Sequence, residues 1–504
     1  MKIKILPDEY WWGCSVRDGH QMPFTRSSQL TLNINGTSES DQFSPFLLSS
    51  KGRYLWGDRP FSVEVREGFI ETTVEEGLTL EEGHGTLRNA YQDAMKKHFP
   101  FERRLPGQWF FQRPQYNTWI ELGTDQTADR ILAYASQILE NGYPAGILMI
   151  DGGWQEDYGL FEFNRRKIPD PAGMIRRLHE MGFQVMLWTS PIVASAGANF
   201  KLLRDRGYLI RRPDGEPAVR KWWSGYSCVL DFSNPEACAW YWAQLDGLMR
   251  DYGVDGYKFD AGDYYFYQDG DRICVPGPAR EQTTRFNRVG VRYPLNEFRA
   301  AYAFGGQPIV ARLHDKYHTW NNFGLNTLIP HTITQGLLGY AYCCPDMVGG
   351  GILDCFNKGQ KLDEELFVRW AQANALMGMM QLSVAPWRVL DPENAALVKE
   401  AVLLHARMGE EIFCLAAHAA ETGDPIVRCL EYVFPGQGLT AVTDEFLLGD
   451  SVLAAPVLTQ GQTSRTVVFP AGKWADPSGR VWEGPCTVTV DAPLDTLPWF
   501  RKQP

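Results

Sequence analysis

The chain has 504 residues and contains no apolar run near the ~20 residues that cross a membrane, so no membrane-spanning helix is expected. Its start, Met1-Lys-Ile-Lys-Ile-Leu6, is too short for the core of a secretory signal, and a cytoplasmic location is the corresponding expectation. Ten cysteines are scattered from Cys14 to Cys486 without a Cys-x-x-Cys pair. That excludes the common zinc patterns and points to buried free thiols in a reducing compartment. Basic residues are in deficit, and the formal net charge is −11. Nucleic acid, whose phosphates reward a basic face, is therefore not expected. No Gly-x-Gly-x-x-Gly, phosphate-binding loop or Gly-x-Ser-x-Gly elbow is found, which removes the usual signals of nucleotide cofactors and serine hydrolases. No cofactor is expected.

Aromatic residues are plentiful, with 17 Trp, 21 Tyr and 27 Phe. Their flat faces fill cores, and they also suit the apolar C–H faces of sugar rings. A chain of this length exceeds what one core holds, so two or three domains are expected.

The hydrophobic pattern divides the chain in three. Residues 1–110 alternate apolar and polar in short runs, as in Phe61-Ser-Val-Glu-Val-Arg-Glu67 and Phe69-Ile-Glu-Thr-Thr-Val74, and predict an antiparallel β domain. Residues 111–395 alternate strand and helix signals. Strands are predicted at 119–123, 145–150, 183–188, 228–232, 256–259, 308–312, 340–344 and 382–385. Helices are predicted at 126–140, 174–181 and 235–252, the last with Asn234 as its N-cap. Eight short strands separated by helices predict a (β/α)8 TIM barrel, with an open doubly wound sheet as the rival. Residues 396–504 return to strand alternation and predict a C-terminal β-sandwich.

Enzymes of the barrel class keep their reactive groups at the C-terminal ends of strands. Asp151, Asp260, Asp263 and Asp315 follow predicted strands, and Asp231 lies within one. Two such carboxyls suggest sugar hydrolysis, in which one attacks or activates water and the other donates a proton. Asp260 follows Tyr257-Lys258-Phe259, so Lys258 shares its strand face and an ammonium there would keep it ionised. Asp315 lies in Arg312-Leu-His-Asp-Lys-Tyr-His-Thr-Trp320, where neighbouring rings would favour its protonated form and Lys316 would oppose that. His314 and His318 are not expected to bind metal.

Longer motifs add a resemblance. KFDAGD at 258–263, LIP at 328–330, LLGYAYCCPDMVGG at 337–350, RWAQANALMGMMQLSVAPWR at 369–388 and KIPDPAGMIRRLHEMGFQVMLWTSP at 167–191 occur in one order. Through them residues 110–390 resemble glycoside hydrolase family 31, the retaining α-glycosidases, and most closely its α-galactosidase branch. The resemblance implies Asp260 as nucleophile and Asp315 as general acid/base. It implies sugar contacts from Asp151, Trp188, Trp222 or Trp223, Lys258, Asp263, Arg299, Arg312, Asp346 and Trp387. The implied activity is retaining, exo-acting hydrolysis of terminal α-galactosides. Alternatives are α-glucosides, α-xylosides or sulfosugars as substrates, or a non-catalytic carbohydrate-binding protein. A sugar or oligosaccharide is the expected ligand, with no nucleic acid or membrane, and self-association into a homo-oligomer stays open. The chain departs from the family's common α-glucosidases, which carry Trp-x-Asp-Met-Asn-Glu at the nucleophile and Trp-x-Gly-Asp at the acid. It carries Lys-Phe-Asp-Ala-Gly-Asp and Arg-Leu-His-Asp instead. Its Asp263 stands where the α-galactosidase branch has glutamate.

Overall fold

In the computed structural model, which describes residues 1–34, 41–357 and 361–504, eight short strands form a parallel barrel. They are β1 (Gln115–Asn117), β2 (Ile147–Ile150), β3 (Gln184–Thr189), β4 (Gly256–Phe259), β5 (Leu295–Phe298), β6 (Val310–Arg312), β7 (Cys343–Cys344) and β8 (Gln381–Leu382). The hydrogen-bonded order runs from β7 down to β1 and then to β8. Among the described residues β7 and β8 share no ladder. Just beyond them the Val348 N–H donates to the Gln381 carbonyl at 2.8 Å, so the barrel is nearly closed.

The predicted barrel is found, with three corrections to its strands. Residues 119–123 are not a strand: Trp119–Leu122 form a single helical turn, and β1 lies just before it. The Asn117 side chain explains the switch, because its Oδ1 accepts the Trp119 N–H at 2.8 Å and turns the chain. Residues 228–232 are not a barrel strand either. Gly225–Val229 pairs antiparallel with Ile192–Ala194 and Arg220–Trp222 in a small sheet inserted after β3. The strand that takes its place in the count is β5, whose Leu-Asn-Glu-Phe sequence carries two polar residues into the interior. Asp260 therefore ends the fourth barrel strand.

The predicted helices form as α1 (Ala128–Glu140), α2 (Pro171–Glu180) and α3 (Pro235–Tyr252). Thr127, Asp170 and Asn234 cap them through side-chain oxygens, and Pro171 and Pro235 occupy first-turn positions where a missing N–H costs nothing. Residues 396–422, predicted as part of the strand-rich C-terminal region, instead belong to a 31-residue helix, α4 (Pro392–Thr422), ended by Gly423 at φ +78°. Proline at its start and a left-handed glycine at its end supply both stop signals. A six-stranded antiparallel sheet follows. At the other end of the chain are a four-stranded antiparallel sheet and a second sheet with five N-terminal antiparallel strands. The strand Gln42–Ser49 of the latter also pairs in parallel with Ala301–Tyr302, just after β5. The N-terminal sheet is thereby built onto the rim of the barrel.

The outer face of β4 is anchored by stacked rings. Phe259 lies parallel to Phe298 of β5 at 4.7 Å and edge-on to Phe286 at 5.7 Å. Lys258 and Asp260 consequently point inward. Phe259→Ala would leave a cavity where a fully buried ring stood and is expected to cost roughly 3–5 kcal/mol. The check is the thermal unfolding midpoint; an unchanged midpoint would show that the stack does not hold β4 in place.

Candidate active site

A cavity of about 420 Å³ opens at the C-terminal ends of the strands, and Asp260 and Asp315 both line it. It runs from Trp223, 52% exposed at the rim, to Asp151 and Lys258, each 4% exposed at the base.

Asp260 follows β4 and is held from several sides. Its Oδ2 accepts the Trp188 indole N–H at 2.8 Å. Its Oδ1 accepts Arg299 Nε–H at 2.9 Å and the Ala261 N–H at 2.8 Å. Its own N–H donates to the Thr189 carbonyl at 2.8 Å. The chain then turns sharply, with φ +54° at Ala261 and +74° at Gly262. Such a conformation is strained for alanine and survives because surrounding bonds impose it. At Gly262 a Cβ would lie 2.5 Å from the Phe286 ring, so only glycine fits. Burial by itself would raise the Asp260 pKa. Arg299, then Lys258 and Arg312, and the Trp188 hydrogen bond outweigh it and hold the carboxyl well below the usual carboxylate range.

Lys258 contributes to that field, as its place on the strand suggests, but it is not the leading charge. Its Nζ makes a 2.7 Å ion pair with Asp151 of the β2 end, which keeps the ammonium charged despite burial. Arg299, after β5, leads instead. It bridges Asp260 and the fully buried Asp263, and its guanidinium lies 4.9 Å over the Trp223 ring. Asp263 does not line the cavity; it is bonded to Arg299, which does.

Arg312, at the end of β6, is 1% exposed. Its Nη1 donates to Asp315 at 2.8 Å and to Asp346 at 3.0 Å, and its Nε lies 3.4 Å from Glu297 on β5. Asp315 is far more open, with 36% of its side chain exposed. The histidines expected to crowd it have other partners. His314 turns away to Asp41, the His318 ring is bonded to the Gly349 and Asp363 carbonyls, and Lys316 is buried against His331. Asp346 is fully buried, and burial and the nearby Asp315 push its pKa up while Arg312 and Lys316 oppose the shift. It does not line the cavity, but it accepts the Lys316 N–H at 2.7 Å and so shapes the loop that carries Asp315.

Arg312, like Asp263 and Asp346, does not line the cavity, and two further predicted contacts lie elsewhere. Trp222 is buried behind the wall, edge-on to Tyr158 at 4.7 Å and bonded to Ser227, while its neighbour Trp223 faces the cavity. Trp387 is outside the site. It sits in the short helix Pro386–Val389 after β8 and packs outward on Tyr134 of α1 and on Tyr143. Trp119, Thr124, Gly152, Tyr158 and Ser224 complete the lining and were not anticipated. All follow β1, β2 or β3, so strand-end position was the available signal. Among the described residues no group of three His, Cys, Asp or Glu could hold a metal ion.

The model of the "Glycosyl hydrolases family 31 TIM-barrel domain" matches residues 104–408, and that of the "Glycosyl hydrolase family 31 C-terminal domain" matches residues 423–503. The chain is 33% identical to the myogenesis-regulating glycosidase of Mus musculus over 411 residues, covering 80% of this chain and 57% of that protein. It is 25% identical to the alpha-xylosidase XylQ of Lactiplantibacillus pentosus, covering 76% and 51%. It thus spans little more than half the length of these relatives. The fold superposes on the Flavobacterium johnsoniae GH31 dextranase complexed with glucose at TM-score 0.86 and 21% identity, over 100% of this chain and 66% of the other. The cycloalternan-degrading enzyme from Trueperella pyogenes, in complex with a covalent intermediate, gives 0.85 at 21%, over 100% and 77%.

The lowered pKa of Asp260 has a defined sign. Its ionic contribution to stability is in place above the unfolded aspartate value near ~3.9 and is lost only as pH falls through the lower folded value. Arg299→Met removes the leading cation. The acid limb of kcat/KM for an aryl α-glycoside should then move to higher pH, with a rate loss of about 10²-fold or more. An acid limb that stays at the parent pH would mean that Arg299 does not set the charge of Asp260.

Proposed function

The chain belongs to glycosyl hydrolase family 31, and we propose that it is a retaining, exo-acting α-glycosidase that removes terminal α-galactosyl groups. Asp260 attacks the anomeric carbon while Asp315 gives its proton to the departing oxygen, so the glycosidic bond breaks as a glycosyl ester forms on Asp260. Asp315, now a carboxylate, takes a proton from water; the water oxygen displaces Asp260 and the sugar leaves with its α configuration retained. The depth of the two acids supports these roles. Asp260 is buried among cations that keep it ionised. Asp315 is the exposed one, at the side where an aglycone leaves and water enters. A cavity of about 420 Å³ floored by a buried ion pair suits one terminal ring.

The observation that carries the choice of sugar is the Lys258–Asp151 pair at the cavity base. Lys258 stands where the Trp-x-Asp motif of the family's common α-glucosidases has an indole. An ammonium beside a carboxylate replaces an apolar ring with a donor and an acceptor, and these suit an axial 4-hydroxyl. A reducing compartment is part of the same proposal, and ten free cysteines are consistent with it.

A panel of aryl α-glycosides tests this, with glucosides and xylosides included because relatives carry the names alpha-glucosidase and alpha-xylosidase. The galactoside should be preferred at least about tenfold in kcat/KM, and Lys258→Trp should erase that preference. Faster hydrolysis of the glucoside or xyloside would refute the galactose assignment. Asp260→Asn should abolish turnover, and proton NMR of the first product should show the α anomer. A β first product would rule out retention, and binding without turnover by the parent protein would return the non-catalytic reading.

A further inference from the structure

Asp41 lies outside the barrel, immediately before the N-terminal strand Gln42–Ser49, and its side chain is fully buried. Its Oδ2 is hydrogen-bonded to Nδ1 of His314, the residue directly before Asp315. Backbone contacts also tie Asp41 to the barrel rim. Its carbonyl accepts the Ala301 N–H at 3.3 Å, and the Gln42 amide next to it donates to the carbonyls of Arg299 at 2.5 Å and Arg312 at 2.9 Å. On the far side of Asp315, Lys316 is held by its N–H to Asp346 and by its Nζ to His331 at 3.0 Å. The residues on both flanks of Asp315 are thus pinned, whereas among the described residues the Asp315 side chain is bonded to Arg312 alone.

The Asp41 carboxylate is costly for a purely structural element, because its second oxygen, Oδ1, is buried without a hydrogen-bond partner among the described residues. His314, Lys316 and Arg17 offset its burial and keep the group ionised. We propose that Asp41 is a positioning residue for proton donation: by fixing His314 it holds the Asp315 carboxyl over the cavity in reach of the leaving oxygen. This rests on Asp315 being the acid/base of the reaction proposed above.

The test compares two substrates of the preferred sugar: the glycosyl fluoride, whose leaving group needs no proton, and the methyl glycoside, whose leaving group does. Asp41→Ala should leave kcat/KM on the fluoride close to the parent value and lower it on the methyl glycoside by about 10²-fold. Asp41→Asn, which keeps an acceptor for His314, should restore most of the loss. Equal losses on both substrates would reduce Asp41 to a structural role and overturn the proposal. If Asp41→Ala does not fold, His314→Phe cuts the same bond from the barrel side and is held to the same two outcomes. Asp315→Ala separates the two levels. If it discriminates between the substrates and the Asp41 and His314 variants do not, the proposal falls alone; if it does not discriminate, the role of Asp315 falls and the proposal with it.

Discussion

The site depends on a guanidinium that has almost no access to water. Arg312 needs anionic neighbours, because a buried charge left without them would cost several kcal/mol. It finds them on three elements: Glu297 on β5, Asp315 in the loop after β6, and Asp346 in the loop after β7. Satisfying one cation therefore draws three segments together at one end of the barrel. Arg299 does the same for Asp260, Asp263 and the Trp223 ring. Between the two arginines the cavity acquires a fixed electrostatic floor before any sugar enters.

That floor separates two chemically identical side chains. Asp260 is enclosed by positive charge and a donated indole N–H, so it is a carboxylate with a fixed direction. Asp315 shares one arginine with Asp346, which is buried behind it, and opens toward solvent on its other side. Position along the depth of the pocket, rather than residue type, gives them different work.

Much of this was legible in the chain, and the parts that were not have identifiable reasons. The alternation Tyr257-Lys258-Phe259-Asp260 correctly turned lysine and aspartate to one face, because outer-face rings and inner-face charges follow the two-residue period. The partner of Lys258 could not be read, since Asp151 lies on another strand more than a hundred residues away in sequence. Leu295-Asn-Glu-Phe298 escaped notice because a barrel that encloses ion pairs puts polar residues where an apolar run is expected. Cys228–Phe232 misled for the opposite reason: a side sheet that packs on the barrel is as apolar as a strand within it. Trp387 belongs to a motif near the site, yet motif membership says nothing about which way an indole points.

The crossing of Gln42 into the barrel rim sets a limit on modular exchange. Every group that lines the cavity belongs to the (β/α) unit, so that unit looks self-sufficient by inventory. Yet the carbonyls of Arg299 and Arg312 both depend on one amide supplied by a different sheet. A chimera that grafts this barrel beneath a foreign N-terminal layer would inherit the whole chemical apparatus while losing the amide hydrogen bonds to the Arg299 and Arg312 carbonyls, beside the very arginines that organise it. Recombination in such a lineage would have to carry the sheet and the barrel together, or reinvent that single amide in the new layer.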